Sequence, residues 1–429
     1  MKIIISVLLT ILSFSSFGNS LSIERWLTSR GAHVVFHSAE GPEMLDILVA
    51  FQAGSAYDNT SPGLSYLTTS LLNQGNAGHN VSTVAKQLAQ QGGQYEYDVK
   101  RDMVVLHLRT LSQEPMLSET LKVFKTILTQ PDFPLAAEEK QKKQQIAMLL
   151  QMEDSPDALA TTKFFKTLYP QHPYGHSLEG DPASIQAISH QAILDFYRRY
   201  FVNKNAIVVL VGKISKAQSQ HIAEDLMQAL PKGEAAATIP IANPLPATQQ
   251  QQIRYTSTQN NIRLGQVGIA PNNPDYFSLL VGNYILGGGS LRSLLNLVLR
   301  EKNGLTYGAF SEWIPLLGRG PFMISFSTQK PQQAIPLLQE TLQKFISAGP
   351  SATELLAAQH YLTGSFPLSI AGNSNMAQLL LRMTFYHLPD DFLENYVSHI
   401  QQVTVPSIQQ AFQKNLPAHA WLLLSLGPS

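Results

Sequence analysis

The stretch FQAGSAYDNTSPGLSYLTTSLLNQGN, residues 51–76, decides the fold of the first half of the chain. It begins inside an apolar run over 45–53, which predicts a strand. A helical pattern follows over 62–74, where Ser61 and Pro62 suit an N-cap and a first helical position. Gly75 is a suitable residue for ending this helix. The stretch therefore predicts a strand that turns almost at once into a capped helix.

The predicted helix has an apolar face and a polar face. The apolar face carries Leu64, Leu67 and Leu71, whose spacing is typical of a helix packed on a core. The polar face carries Tyr66, Thr69 and Ser70, which stand at i, i+3 and i+4. This second face therefore presents three neutral hydroxyl side chains side by side.

Composition limits the classes of function. The chain has 429 residues, with 30 basic and 30 acidic side chains and a formal net charge of zero. This length predicts at least two domains. No block of like charge stands out, which argues against nucleic acid or an anionic membrane as the main partner. The chain has no Cys, so it contains neither a disulfide nor an acylated cysteine.

Residues 1–20, MKIIISVLLTILSFSSFGNS, have the pattern of a signal peptide. Lys2 gives a short positive start, and the apolar run 3–14 is too short to span a membrane comfortably. Small residues follow and predict cleavage after Gly18 or Ser20. We therefore expect export to the periplasm or beyond, with a buried N-terminal helix as the alternative. We expect no membrane span after signal removal, because no later segment is long and apolar enough.

The rest of the chain predicts an α+β fold with two tandem domains of one type. We expect each domain to be a mostly antiparallel sheet with helices packed on one face. Residues 21–232 form the predicted N-terminal domain, and 253–429 form the C-terminal domain. Between them, residues 233–252 are rich in Pro, Ala and Gln, lose all periodicity and predict a linker.

A second stretch, YILGGGSLRSLLNLVLREKNGLTYGAFSEW at 284–313, carries the candidate chemistry of the second domain. Ser290 suits the N-cap of a helix that has Arg300 in its last turn, and Gly304 suits a left-handed turn after it. A strand containing Tyr307 is predicted next, so the guanidinium and the phenol can lie side by side. Structural roles explain the same residues when they are considered alone, since a C-terminal Arg favours the helix dipole.

Three glycines, Gly287, Gly288 and Gly289, precede this helix. A glycine run before a helix can cradle an anion, but no Lys or Ser/Thr follows at phosphate-loop spacing. We interpret the run as a tight turn that permits close approach of another backbone, such as that of a bound peptide.

These two stretches together resemble the pitrilysin/insulinase-type zinc peptidases, in the mitochondrial-processing-peptidase-like subfamily. The first resembles the family region whose helix carries H-x-x-E-H, and the second resembles the glycine-rich turn followed by an Arg and a Tyr. The resemblance extends over nearly the whole mature chain. It implies that Arg300 and Tyr307 bind the substrate backbone and stabilise the developing oxyanion.

The resemblance also shows what the first domain lacks. In active members the two His bind zinc and the Glu is the general base, but those positions are Tyr66, Thr69 and Ser70 here. The family's third ligand, a Glu, falls in a window that is IAMLLQ, 146–151, with Glu153 nearby but out of register. Two His pairs, His172 with His176 and His33 with His37, are better explained as surface or hydrogen-bonded residues. We therefore expect no metal in this chain.

Three functions remain open. The first is an exported, zinc-less subunit of a heterodimeric metallopeptidase, inactive alone, whose H-x-x-E-H partner brings the zinc and general base while this chain brings Arg300 and Tyr307. The second is a non-catalytic peptide-binding or scaffold protein derived from the same fold. The third is a stand-alone metallopeptidase with an unusual site, which the missing ligands disfavour. A peptide or unfolded protein is the expected substrate, and a homodimer is not excluded.

Overall fold

A computed structural model describes residues 22–428 of the chain, so the predicted signal peptide lies outside the described residues. The first half contains eight strands among these residues. They are β1 (Ile23–Leu27), β2 (His33–Ser38), β3 (Met44–Phe51), β4 (Gly75–Asn76), β5 (His79–Asn80), β6 (Gln94–Val99), β7 (Val104–Leu111) and β8 (Ala206–Gly212). Its helices are α1 (Leu64–Leu71), α2 (Val81–Gln90), α3 (Met116–Thr129), α4 (Leu135–Glu153), α5 (Pro156–Leu168), α6 (Pro182–Ala187), α7 (His190–Tyr200) and α8 (Lys216–Gln228).

The second half repeats the strand order of the first. Its strands are β9 (Gln249–Arg254), β10 (Asn260–Val267), β11 (Ala309–Trp313), β12 (Pro321–Thr328) and β13 (Leu422–Gly427). Its α-helices are α9 (Tyr276–Asn283), α10 (Pro331–Ala348), α11 (Ala352–Ser369), α12 (Asn373–Phe385), α13 (Phe392–Gln402) and α14 (Val405–Asn415). Strand β9 begins at Gln249 and so takes in the last four residues of the passage 233–252 that the sequence predicts as a linker.

The two large sheets have matching topology. The first has the order β1-β2-β8-β3-β7-β6 and the second the order β9-β13-β10-β12-β11. In each sheet a single neighbouring pair is parallel, β2 with β8 and β9 with β13, and the other pairs are antiparallel. The predicted α+β class and the repeated, mostly antiparallel sheets are therefore confirmed.

Each sheet has one face covered by helices of its own half and the other face covered by a helix of the opposite half. Helix α12 of the second half packs on β3 and β8, where Leu380 and Leu381 meet Leu48 and Val209. Helix α5 of the first half packs on β10 and β13. The sequence predicted helices on one face only; the second face is covered because both sides of the central strands are apolar and must be buried.

A buried guanidinium fixes α5 to the second sheet. Arg263 of β10 is 1% exposed and donates from Nη2 to the carboxylate of Asp157 at 2.5 Å and to the Thr161 hydroxyl at 3.1 Å. Charge-assisted bonds of this kind offset the cost of burying the cation. Next to it, Gly265 leaves room for the Phe164 ring, which a Cβ would meet at 2.8 Å. Helix α5 and the second sheet therefore have complementary surfaces.

A second junction between the halves centres on Asp102. Its buried carboxylate accepts from the Tyr174 hydroxyl at 2.6 Å and from the Leu317 backbone N–H at 2.8 Å, in the loop between β11 and β12. The Tyr174 oxygen in turn accepts from the Gly318 N–H at 2.9 Å. Burial raises the pKa of Asp102 to about 6, although the hydrogen bonds oppose that rise. This loop thereby joins the second half to the first.

Candidate functional site

Helix α1 begins later than the sequence predicts. The N-cap is Gly63, with φ 91°, instead of Ser61, because the buried carboxylate of Asp58 accepts from the backbone N–H groups of Gly63 and Ser65, both at 2.7 Å. Burial raises the pKa of Asp58 well above its usual value, while these two bonds lower it. The predicted stop is also wrong, since α1 ends at Leu71 and Gly75 opens β4.

Two hydroxyls on the polar face of α1 donate hydrogen bonds to backbone carbonyls of the same helix. The Thr69 hydroxyl donates to the Ser65 carbonyl at 2.7 Å, and the Ser70 hydroxyl donates to the Leu67 carbonyl at 2.8 Å. Both residues are buried, at 0% and 2% exposure. Thr and Ser side chains have neither a charge nor an imidazole, and both hydroxyls are already bonded within the helix, so this face offers poor ligands to a metal ion.

The neighbouring helix α4 adds no metal ligand to this face. The Tyr66 hydroxyl donates to the thioether of Met148 at 3.6 Å, and burial raises the pKa of Tyr66. One turn away, the Gln145 amide donates to the Glu179 carbonyl at 2.7 Å and to the Gly63 carbonyl at 3.3 Å. Glu153 is the exposed last residue of α4. Met148 and Gln145 of α4 are therefore neutral, and the negative charge of Glu179 adds to burial in raising the pKa of Tyr66.

Three histidines of the two pairs have local hydrogen-bond partners, and His33 is exposed. His172 bonds the Pro240 carbonyl through Nε2 at 2.8 Å and accepts from the Tyr174 N–H, while His176 bonds the Ser177 carbonyl. Burial lowers the pKa of both imidazoles. His37 bonds the Ser22 carbonyl at 3.1 Å. Over residues 22–428, no group of three or more His, Cys, Asp or Glu side chains could hold a metal ion.

The helix that carries Arg300 differs from the predicted one at its start. A 3-10 turn spans Ser290–Arg292, and the helix itself begins at Leu294 and becomes π-helical over Asn296–Lys302. Arg300 lies in the last turn as expected, and Gly304 has a left-handed φ of 59°. Tyr307 is not in a strand, because β11 starts only at Ala309.

Two asparagines hold the chain reversal after this helix. The Asn296 side chain both donates to and accepts from the backbone of Ala309, each at 2.9 Å. The Asn283 side chain likewise donates to the Ser311 carbonyl at 3.1 Å and accepts from its hydroxyl at 2.7 Å. Strand β11 is thereby fixed to both preceding helical segments, and so is the reversal that leads into it.

The reversal 300–308 presents Tyr307 to solvent. Tyr307 is 87% exposed, while Arg300 is half-buried on the same short segment. Within the reversal, the Leu305 N–H donates to the Leu299 carbonyl at 2.8 Å and the Gly308 N–H donates to the Thr306 hydroxyl at 3.2 Å. A guanidinium and an exposed phenol thus lie on one backbone segment held by hydrogen bonds, and both can donate to an acceptor.

The glycine run is needed for contacts within the chain. A Cβ on Gly287 would lie 2.5 Å from the Ser311 nitrogen, and one on Gly289 would lie 2.5 Å from the Tyr284 carbonyl. Both glycines are buried, and Gly288 between them is exposed. Their predicted contact with a substrate stays a prediction, since the approach of β11 already requires Gly287 and the approach of the Tyr284 carbonyl already requires Gly289.

The two π-helical segments are a feature that sequence reasoning missed. They span Tyr284–Gly288 and Asn296–Lys302, on either side of the glycine turn. π-Helical segments are rare in proteins, and many of those that occur lie at functional sites. The one available signal was the pair of asparagines inside apolar helical patterns, since each bonds the backbone of β11.

Comparison with known proteins identifies the family. Residues 33–182 match the insulinase family, peptidase family M16, and residues 187–362 match the peptidase M16 inactive domain. A crystal structure of the peptidase M16 inactive domain from Pseudomonas fluorescens is 34% identical with a TM-score of 0.92, over 95% of this chain and 98% of that one. The chain belongs to peptidase family M16. The resemblance found in the sequence is thereby confirmed.

The relatives of this M16 chain include proteins described as inactive and proteins described as proteases. The non-peptidase homologue YmxG of Helicobacter pylori is 25% identical over 84% of each chain. An uncharacterised zinc protease of Rickettsia bellii is 25% identical over 65% of this chain and 66% of the relative. The M16 chain has an inactive M16-like fold, which is compatible with a non-catalytic, partner-type subunit and with a domain that holds no zinc.

The described part of the M16 chain also bears on its relation to a membrane. Over residues 22–428 none of the helices combines the length and the apolar character that crossing a bilayer requires.

Proposed function

We propose that this M16 chain is the zinc-less subunit of a heterodimeric metallopeptidase. A homologous partner with H-x-x-E-H supplies the zinc and the general base, and this chain supplies Arg300 and Tyr307. One observation carries the proposal: the hydroxyls of Thr69 and Ser70 on α1 are bonded within their own helix, whereas the reversal at 300–308 carries an exposed Tyr307 on the same short segment as Arg300. The exposed phenol of Tyr307 on a hydrogen-bonded turn is available to a bound peptide, which supports the subunit role over a scaffold role.

The proposed chemistry of this subunit is binding and charge stabilisation. The Arg300 guanidinium and the Tyr307 hydroxyl donate hydrogen bonds to the peptide backbone and to the oxyanion that develops at the scissile carbonyl. Zinc bound in the partner activates the water and polarises the carbonyl. Loss of one such oxyanion donor typically costs about 10²–10³ in kcat.

The test mixes this chain with an M16 partner that carries H-x-x-E-H, ideally from a neighbouring gene. Peptide cleavage and zinc content are measured for each chain alone and for the mixture. We expect zinc in the partner only, and cleavage by the mixture only. Arg300→Ala and Tyr307→Phe should each lower kcat of the mixture about 10²-fold or more.

Matched controls separate this role from general damage. Lys302→Ala removes an exposed cation in the same last turn, and Tyr361→Phe removes an exposed phenol on α11. Both should leave cleavage unchanged. Full activity of the Arg300 and Tyr307 variants would overturn the proposal and favour the scaffold, and stoichiometric zinc in the isolated chain would favour a stand-alone peptidase.

We also propose that the chain is exported, on the pattern of residues 1–20 alone. The expected mature protein begins at Asn19 or Leu21 in the periplasmic fraction, and N-terminal sequencing of that fraction checks this. A cytoplasmic protein that retains Met1 would contradict export without affecting the proposed role of Arg300 and Tyr307.

A further inference from the structure

The two halves differ at one edge of their sheets. Strands β2, β8, β3, β7 and β6 correspond in order and direction to β9, β13, β10, β12 and β11. In the first sheet β1 covers the outer edge of β2 as an antiparallel strand, with Ile23 opposite His37 and Leu27 opposite His33. Within residues 22–428 no strand pairs with the outer edge of β9. The second sheet therefore ends where the first has one strand more.

The backbone of β9 is available for pairing. The Gln249 and Tyr255 N–H groups donate inward, to the Trp421 carbonyl at 2.8 Å and the Gly427 carbonyl at 2.9 Å on either end of β13. Backbone groups alternate between the two sides of a strand, so those of Gln250, Gln252 and Arg254 point outward. Edge strands are usually protected by Lys, Pro or a bulge, but residues 249–252 are four exposed glutamines.

A groove lies beside this edge on the helix side of the sheet. It has a volume of about 410 Å³, and helix α10 and the end of α14 form its walls. Its lining includes the apolar side chains of Leu264, Leu342 and Leu423 and the amides of Gln250 and Gln413. No charged side chain lines it. An uncharged ligand with an apolar side chain matches this lining.

The covered edge of the first half serves as a template for the missing strand. In β1, Trp26 points to the helix side and packs against the core there. The neighbouring Glu24 and Arg25 are balanced by Lys216 at 2.7 Å and Asp390 at 3.2 Å. The groove beside β9 has no such charges, so the same strand would suit it only without its charged residues.

We propose that the outer edge of β9 binds an extended segment of another polypeptide as an antiparallel sixth strand. The stretch of the bound polypeptide that pairs with β9 carries no charged side chain, and one of its aromatic side chains points into the groove. A second copy of β9 fits less well, because its groove-side residues are Gln250, Gln252 and Arg254 and include no aromatic ring. This edge lies at the opposite end of the second sheet from β11 and Tyr307, so the proposal is independent of the proposed peptidase role.

The test uses the chain's own covering strand as the probe. A fluorescent peptide with the sequence of residues 22–28, SIERWLT, carries Glu24→Gln and Arg25→Gln. We expect saturable binding to the full mature chain by fluorescence anisotropy. A peptide that also carries Trp26→Ala should bind about tenfold more weakly, because it buries no aromatic ring.

Two variants of the protein locate the site. Gln252→Pro removes an outward N–H that has no partner in the sheet, so it should abolish binding while leaving the fold and the thermal midpoint unchanged. Gln252→Ala keeps that N–H and should bind as the wild type does. If Gln252→Pro does not fold, Gln252→Lys places a charge on the same edge and should weaken binding about tenfold or more.

Three outcomes overturn the proposal. The first is no saturable binding at millimolar peptide. The second is equal binding by the wild type and a folded Gln252→Pro or Gln252→Lys variant, which would place the peptide elsewhere, for instance in exchange with β1. The third is a dimer in sedimentation that Gln252→Pro disrupts while the peptide fails to bind, which would assign the edge to a second copy of the chain.

Discussion

The polar face of α1 and the reversal at 300–308 are the two regions whose sequences resemble the family's motifs, and they differ in burial and in hydrogen bonding. On α1 the hydroxyls of Thr69 and Ser70 are buried and bonded to their own helix. On the reversal, Tyr307 is 87% exposed although the backbone beneath it is tied to β11 through Asn296. Folding requirements alone explain the first region but leave the exposed phenol of the second unexplained.

The difference shows that α1 packs as a buried helix although its polar face carries hydroxyls in place of ionisable side chains. Leu67 and Leu71 of α1 are fully buried, and Asp58 holds the start of the helix. Replacement of ionisable side chains by hydroxyls that bond the preceding turn removes buried charge at no cost in packing. The reversal carries a half-buried cation and an exposed phenol on one segment.

Restoring the zinc motif is the strongest way to break this comparison. We expect Tyr66→His combined with Thr69→Glu and Ser70→His to lower the free energy of unfolding by about 3–5 kcal/mol, because a carboxylate at position 69 would be buried without a cation. We expect no zinc, since α4 presents Met148 and Gln145 to this face. Urea unfolding and metal analysis check both points.

The half-exposed Tyr66 provides the control for the restored motif. Tyr66→His alone should cost about 1 kcal/mol or less. Stoichiometric zinc in the triple variant at unchanged stability would show that α1 is still a working metal-binding face.

The pH dependence of the free energy of unfolding tests the contact that Asp102 makes between the first half of the chain and the second half, which contains the reversal. The pKa of Asp102 is raised from 3.8 to about 6, so between these values the native state holds more protons than the unfolded chain. The free energy of unfolding therefore falls as pH rises through this window, by at most about 3 kcal/mol from this group. Asp102→Asn should flatten that slope in urea titrations at pH 4 to 7.

Asp154→Asn, at the exposed end of α4, is the control for this slope and should reproduce the wild-type profile. An Asp102→Asn profile with the wild-type slope would mean that another group carries the pH dependence.

A smaller effect on stability than that of the triple variant is expected from releasing the reversal. Asn296→Ala leaves the buried backbone N–H and carbonyl of Ala309 without their side-chain partner, which should cost about 2 kcal/mol. Amide hydrogen exchange over 303–309 should accelerate, and kcat of the heterodimer should fall. Asn303→Ala, which loses only an exposed bond to the Val298 carbonyl, is the matched control. Unchanged exchange in Asn296→Ala would show that the reversal is held by other contacts.

The sequence predicted the repeated fold well because its apolar periodicity is a local signal. The apolar run over 45–53 predicted a strand, and β3 spans Met44–Phe51. The start of α1 was mispredicted because Asp58 caps it from outside the helix. The position of Tyr307 was mispredicted because the π-helical turns and Asn296, which local propensity does not report, set where β11 begins.

Contacts between segments that lie far apart in the chain could not be predicted from the sequence. The packing of α5 on the second sheet depends on Arg263 meeting Asp157 and Thr161, residues about a hundred positions away. No periodicity in either segment indicates that pairing. The open edge of β9 was hidden for the same reason, since only the strand order shows that β1 has no counterpart there.

The exchange of α5 and α12 also governs how the protein can be taken apart. A protease that cuts between Gly233 and Thr248 breaks the peptide chain, but each fragment still covers one face of the other's sheet. The nicked protein should therefore elute as one particle and separate only in denaturant. Either half made alone would expose a bare apolar sheet face and should aggregate, so truncation experiments on this chain would report misfolding where a missing function was sought.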